Sequence, residues 1–463
     1  MKIKFCGAAR NVTGSRHLLE INGLTILLDC GMVQGGNREK TREQNEHFLF
    51  EPSQVDFVLI SHGHTDHIGM LPRLVKQGFK GKVYCTAATK EIGALLLLDS
   101  AHIQVQDAAD AAKEFNQVTE PLYTEKDAQA AIAKIATFEY RQKFRLAEGL
   151  WVTFYDAGHV LGSAITVIDY KEDGTTKRLV FTGDLGRKYM PILNDPYQVV
   201  AADTLILEST YATQLHDSFS GVKEQLAAAV NRVVERQGKI IIPGFSFERT
   251  QELVYVLHEL YNENKIPKLP IYVDSPLSSK ISAAFEHHQD SYDNETFREF
   301  LSKRESPFYF EQVHYLESID ESKQVNTVNE PCIIIAASGM CDAGRIQHHL
   351  KHNIADAKNM ILVVGFMAEG SRGRQIVDGA DKIRIFGQLY PLKAEVLVMN
   401  AFSAHADRME LTEYVRGIHG LSRVFLVHGE EAACLAFRDN LVNNLKFSAV
   451  QIEVPTLGQE FTV

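Results

Sequence analysis

Short apolar runs that stop abruptly at Gly, Asp or His dominate the first part of the chain. LTILLDCG ends at Gly31, VDFVLISHGH at His64 and RLVFTGDLG at Gly186. Each run is rich in aliphatic or β-branched residues, as buried strands are, and each delivers polar groups to one edge. Between Ala87 and Leu150 the chain is Ala- and Lys-rich and predicts helix, with no motif that carries chemistry. From Glu208 to Ile376 the pattern changes. Helix-period segments (222–236 and 249–262) alternate with short apolar strands (239–243, 270–274, 332–337 and 360–365). That alternation predicts a parallel α/β sheet of its own. From Ile383 the strand-rich style returns in AEVLVMNAFSAHAD and RVFLVHGEE. The reading is α/β throughout: a first domain over 1–207, an inserted domain over 208–381, and completion of the first by 382–463.

Composition changes this picture little. A chain of 463 residues exceeds one ordinary core, in keeping with two domains. No segment approaches the roughly 20 unbroken apolar residues of a membrane span. The N-terminus, MKIKFCGAAR, lacks the apolar core of a secretory signal. Six cysteines with no CxxC pair point to reduced thiols in a cytoplasm, and away from a disulfide framework or a thiolate zinc site. The net charge of −11 counts against a sequence-independent nucleic-acid binder, which is usually basic on its binding face. A two-metal site is itself a large local positive charge and can reverse the field in a cleft.

The strongest chemical signal is SHGHTDH, residues 61–67, directly after the strand VDFVLI. In a sharp loop the imidazoles of His62 and His64 can face one metal, while Asp66 and His67 turn to a second point nearby. Zinc takes imidazole and carboxylate ligands in near-tetrahedral sets with a position left for water. AGHVLGSA adds His159 after one strand, and FTGDLG adds Asp184 after another. A lone His or a GD turn is commonplace; their order and strand-end positions make them expected ligands. The reading is His62, His64 and His159 on one zinc and Asp66 and His67 on a second. Asp184 bridges the two, because a carboxylate has two oxygens to share. His428 in VHGEE completes the second set. Asp29, ending LTILLD, either orients a ligand histidine or simply caps its strand.

Asp29, the HxHxDH loop, His159 and Asp184 together resemble motifs one to four of the metallo-β-lactamase superfamily. Glu208 in LESTY, His405 in FSAHAD and His428 in LVHGE resemble motifs A, B and C of its β-CASP branch, the RNA-processing nucleases. PGFSFERTQEL, VDSPL, ASGMCDAGR and GSRGR resemble that branch's inserted domain. The resemblance spans essentially the whole chain and is closest to stand-alone relatives of the cleavage-and-polyadenylation endonuclease. It implies an αββα sandwich with a β-CASP insertion. The sequence shows neither the KH-type extension of archaeal relatives nor the long C-terminal domain of RNase J, which leaves RNA specificity and oligomeric form open. Histidine at motif C is as in RNA-processing members; DNA-repair members typically carry Val.

The implied function is a zinc-dependent ribonuclease that hydrolyses phosphodiesters of single-stranded RNA by two-metal activation of water. Asp184 serves the catalytic centre through both metals. His405 would protonate the leaving oxygen, with Glu208 orienting it and raising its pKa. The inserted domain would bind substrate. Arg249 at a helix start, with Ser338, Arg345, Ser371 and Arg372 in Gly-rich turns, are its candidate phosphate contacts. His348 and His349 read as helix surface or domain interface. Two other readings stand beside this one. A small-molecule hydrolase of the same fold, a thioesterase or lactamase, leaves the insertion and His405 idle. A silent RNA-binding subunit would have lost ligands, and here every position is filled. RNA is the expected partner, the cytoplasm the expected compartment, and no membrane is involved. A homodimer paired through an exposed sheet edge stays open, as does endo- versus 5′-exonuclease action.

Overall fold

The computed structural model describes residues 1–115, 120–216, 219–365, 367–399, 402–445 and 451–463. Of the stretches read above, 116–119 in the helical region and 400–401 before FSAHAD lie outside them. The chain divides into two compact units. The first comprises Met1–Lys188, Leu193–Leu215 and Ala404–Val463; the second comprises Tyr189–Ile192 and His216–Ser403.

The first unit contains two seven-stranded sheets. One runs, edge to edge, Glu460–Thr462, Lys2–Phe5, His17–Ile21, Leu24–Leu28, Phe57–Leu59, Lys82–Cys85 and Ile135–Thr137. The other runs Ile452–Glu453, Arg423–Val427, Thr204–Glu208, Thr175–Phe181, Ala164–Glu172, Leu150–Asp156 and Lys143–Ala147. Period-two alternation sorts their side chains. In the strand Leu24–Leu28, Ile26 and Leu28 enter a core shared with Phe154, Ile168, Phe181, Ile206 and Phe425 of the other sheet. Leu27 faces the opposite way, into a cluster with Leu71, Leu74 and Leu97 from helices. On the second sheet, Val180, Leu205 and Leu207 pack with Leu411, Val415, Phe437 and Leu441, again from helices. Two sheets with helices outside each make a helix–sheet–sheet–helix sandwich, as expected. Strands Ile135–Thr137 and Lys143–Ala147 fall in the stretch read as helical, which is helix over Ala87–Phe115 and Glu125–Ile132.

The second unit holds a six-stranded parallel sheet ordered Val313–Tyr315, Ile271–Asp274, Ile333–Ala336, Ile240–Pro243, Met360–Val363 and Glu395–Val398. Helices Val222–Glu235 and Arg249–Asn262 fall where the period placed them. The expected limits of 208 and 381 both move toward the C-terminus, to 216 and 403. Thr204–Glu208 is fully buried between Thr175–Phe181 and Arg423–Val427, so the chain is still in the first unit at Glu208. Glu395–Val398 pairs with Met360–Val363, so the second sheet takes in a strand from beyond 381.

His349 corrects an expectation. It is fully buried, with Nε2 2.6 Å from Asp274 Oδ2 and Nδ1 3.0 Å from Asn326 Oδ1. Its helix, Ile346–Asn353, turns this face inward and leaves His348 exposed.

Candidate metal centre

Strand ends of the first unit bring the histidines and carboxylates together. Phe57–Leu59 runs into the loop of His62 and His64, and the short helix Thr65–Ile68 carries Asp66 and His67. His159 stands in the turn between strands Leu150–Asp156 and Ala164–Glu172. Asp184 follows Thr175–Phe181 through Gly183, whose φ of +55° favours glycine and where a Cβ would lie 2.5 Å from that of Ser61. Glu208 closes its buried strand, and His428 follows Arg423–Val427. Asp29 and His428 both hold left-handed backbone, at φ 57° and 50°. Non-glycine residues take that conformation at a cost, and it recurs at functional sites.

His62, His64, His159 and Asp184 form one group in which every donor atom lies within 4.8 Å of the others. Asp66, His67 and His428 form a second, and Asp184, Glu208 and His405 a third. Asp184 belongs to the first group and the third, and its other oxygen reaches toward the second. Its Oδ2 lies 3.7 Å from His62 Nε2 and 3.6 Å from His159 Nε2. Its Oδ1 lies 3.3 Å from His67 Nε2 and 3.6 Å from His428 Nδ1.

The neighbours set which nitrogen of each ring is free. Asp29, fully buried, accepts from His67 Nδ1 at 2.7 Å, from the Ser61 amide at 2.8 Å, and from the Ser15 and Ser61 hydroxyls at 3.0 Å. A carboxylate on Nδ1–H leaves His67 Nε2 as a lone pair pointing into the site. Thr210 Oγ1 lies 3.0 Å from His428 Nδ1 and donates to the His428 carbonyl, also at 3.0 Å. His428 Nε2 then faces His67 Nε2 at 3.1 Å and Asp66 Oδ2 at 3.3 Å. Two ring nitrogens and a carboxylate oxygen converging this closely call for a proton or a metal ion among them. This donor set fits zinc.

The electrostatics agree. Burial and neighbouring imidazoles hold His62 and His159 well below the ordinary histidine pKa and bring His64 to about 4, so these rings are neutral and ligand-ready. At His67 burial opposes charging, but Asp184, Asp29 and Asp66 outweigh it and raise its pKa well above normal, marking a place where positive charge is favoured. Burial likewise opposes ionisation of Asp184, and His428, His67 and His405 overcome it.

Next to this lies His405, one-fifth exposed, with Nδ1 3.1 and 3.2 Å from the two oxygens of Glu208. Glu208 is fully buried and also accepts from the amides of Leu185 at 2.7 Å and Thr210 at 3.2 Å. Burial works against a charge on His405, yet Glu208 and then Asp184 push its pKa up to about 9. Sequence reading missed Ser61 and Thr210, which hold Asp29 and His428. The signal available was their adjacency, Ser61 directly before the first histidine and Thr210 two residues after Glu208.

The proposed phosphate contacts all lie in the second unit. Arg249 begins its helix, pairs with Glu252 at 2.6 Å and lies over the ring of Phe402. Arg345 gives Nη1 to Asp274 at 2.6 Å and to the Leu316 carbonyl at 3.2 Å, and Nη2 to the Glu317 carbonyl at 2.8 Å. That engagement favours an internal strut over an anion contact. Ser371 caps the helix Arg372–Val377. Arg372 donates to the Arg384 and Cys341 carbonyls. Ser338 sits half-buried in its turn, its carbonyl accepting from the Cys341 amide.

Comparison with known proteins identifies the family. Residues 18–187 match the metallo-beta-lactamase superfamily domain, 250–376 the Beta-Casp domain, and 389–455 the Zn-dependent metallo-hydrolase RNA specificity domain. The chain is 36% identical over 436 residues to a ribonuclease of Thermus thermophilus, covering 94% of this chain and 95% of that one. It is 31% identical to the transcription termination factor FttA of Methanosarcina mazei, over 96% of this chain and 69% of that one. It is 30% identical to the cleavage and polyadenylation specificity factor 73 of Drosophila melanogaster, over 93% of this chain but only 60% of that longer protein.

Proposed function

The chain belongs to the metallo-β-lactamase superfamily, in its β-CASP branch, and from that premise we infer a ribonuclease whose centre holds two zinc ions. His62, His64 and His159 would hold one ion, Asp66, His67 and His428 the other, and Asp184 both. The observation that carries this is the division of Asp184, with one oxygen toward His62 and His159 and the other toward His67 and His428. Asp29 is the positioning residue for His67. When loaded, such a centre supplies water activation at neutral pH and polarisation of phosphoryl oxygens.

His405 supplies the proton. With Nδ1 held by buried Glu208, its Nε2 is the nitrogen left to protonate the departing ribose oxygen. A pKa near 9 keeps it protonated at neutral pH. Single-stranded RNA is the proposed substrate, with the second unit contributing contacts through Arg249, Ser338, Ser371 and Arg372; Arg345 supports that unit from within. The His405–Glu208 pair gives this reading an advantage over a small-molecule hydrolase, which has no task for it. No helix among the described residues is long and apolar enough to cross a membrane; a cytoplasmic site of action is proposed from the reduced-thiol pattern. The test is zinc analysis of the purified protein together with cleavage of a labelled single-stranded RNA. Two zincs per chain and cleavage are expected. No bound zinc, or thioester hydrolysis without RNA cleavage, would reject the reading.

A further inference from the structure

Arg16 is 3% exposed, and no Asp or Glu among the described residues forms an ion pair with it. Its guanidinium reaches two neutral acceptors at the limit of hydrogen bonding, the Gln44 carbonyl and Asn45 Oδ1, each at 3.4 Å. Its Cζ lies 5.4 Å from the centre of the Phe48 ring, and its Nε is buried with no partner. Arginine does not discharge by losing its proton at any ordinary pH, so this is a buried positive charge without a counter-charge. Such a charge is costly, and natural proteins pair it.

Arg16 lines a cavity of about 100 Å³ with the polar Asn11, Thr13 and His47, the loop residue Ala8, and the apolar Val33, Leu49 and Leu457. Each water needs about 10–15 Å³ of such space, so there is room for several waters or for one small oxyanion. Part of the wall is the loop after the strand Lys2–Phe5. Ala8 and Arg10 there have positive φ, 46° and 58°, and the amides of Gly7, Ala8 and Ala9 donate to no acceptor among the described residues. Curled backbone of this kind turns successive N–H groups to one side and complements an anion.

We propose that this cavity is a binding site for a single phosphate-class oxyanion, with Arg16 supplying the charge and the 7–13 loop further donors. Ala8 connects the site to the metal centre: it lines the cavity, and its carbonyl accepts from the His428 amide at 2.7 Å. The oxyanion is either free phosphate or a phosphodiester of bound RNA. Only the second source rests on the ribonuclease reading.

The experiment is calorimetric titration of the zinc-loaded protein with inorganic phosphate, comparing wild type with Arg16→Met and Leu49→Glu. Leu49 is 44% exposed on the cavity wall, so a carboxylate there is tolerated by the fold and supplies the missing counter-charge. Wild type should bind one phosphate more per chain than either variant; phosphate held at the metal centre is common to all three. Arg16→Met should also lose the part of the phosphate-induced rise in Tm that wild type shows through this site. If RNA is the source, both variants should bind RNA more weakly, and the slope of log K against log salt should fall by about 1. If free phosphate is the source, RNA affinity should be unchanged while the extra phosphate is lost. Equal phosphate stoichiometry in wild type and Leu49→Glu, with Arg16→Met either matching them or failing to fold, would overturn the proposal.

Discussion

His67 and His428 bring their Nε2 atoms to 3.1 Å of each other, although 361 residues separate them in the chain. Asp29 holds one ring and Thr210 the other. A buried meeting of two ring nitrogens beside the Asp66 and Asp184 carboxylates is stable only around positive charge.

Asp184→Ala removes the carboxylate that faces both imidazole groups. Zinc should fall at both positions, measured as metal per chain after dialysis against zinc-free buffer. Loss of one zinc with the other fully retained would show that Asp184 belongs to one set alone.

Asp29→Asn keeps the shape but weakens the hold on His67 Nδ1. Partners of this kind are worth about 10- to 100-fold in metal affinity. The second zinc should loosen by that factor, measured by competition with a chelator, while the His62, His64 and His159 set is little changed.

His405→Ala should lower turnover on RNA by about 10²- to 10⁴-fold, the usual weight of a general acid. Zinc content and RNA affinity should stay near wild type. If zinc is lost instead, His405 is a ligand and the division of roles is wrong.

Glu208→Gln tests the pH dependence. His405 acts in its protonated form, so activity is present below its pKa, near 9, and is lost as pH rises through it. Removing the Glu208 charge lowers that pKa, and the alkaline limb of the rate profile should move to lower pH. An alkaline limb in the same place would assign it to another group.

Arg345→Ala should act on stability. Deleting its bond to the buried Asp274 carboxylate should cost about 1.5–3 kcal/mol, read from denaturant unfolding. RNA affinity of the folded variant should change little. Arg372 keeps the candidacy for phosphate that Arg345 loses, and its Ala variant should weaken binding and lower the salt slope.

Much of the centre was legible because its chemistry is local in sequence. SHGHTDH places four of the donors within six positions, and strand ends with Gly turns announce His159 and Asp184. His428 was legible through the apolar run before it. What stayed hidden depends on tertiary pairing. Thr204–Glu208 looks the same whether it starts an inserted sheet or finishes the first, and only its position between Thr175–Phe181 and Arg423–Val427 decides. Glu395–Val398 is the same case in reverse. Arg345 resembles a free basic residue in a Gly-rich turn, because its partner Asp274 lies 71 residues earlier. His349 is hidden for the same reason, by the same aspartate.

The most direct test of the account is the initial rate of the zinc-loaded wild type on matched single-stranded RNA and DNA of one sequence. The account predicts faster cleavage of RNA. Equal or faster cleavage of DNA, or none of RNA with both zincs bound, would contradict it.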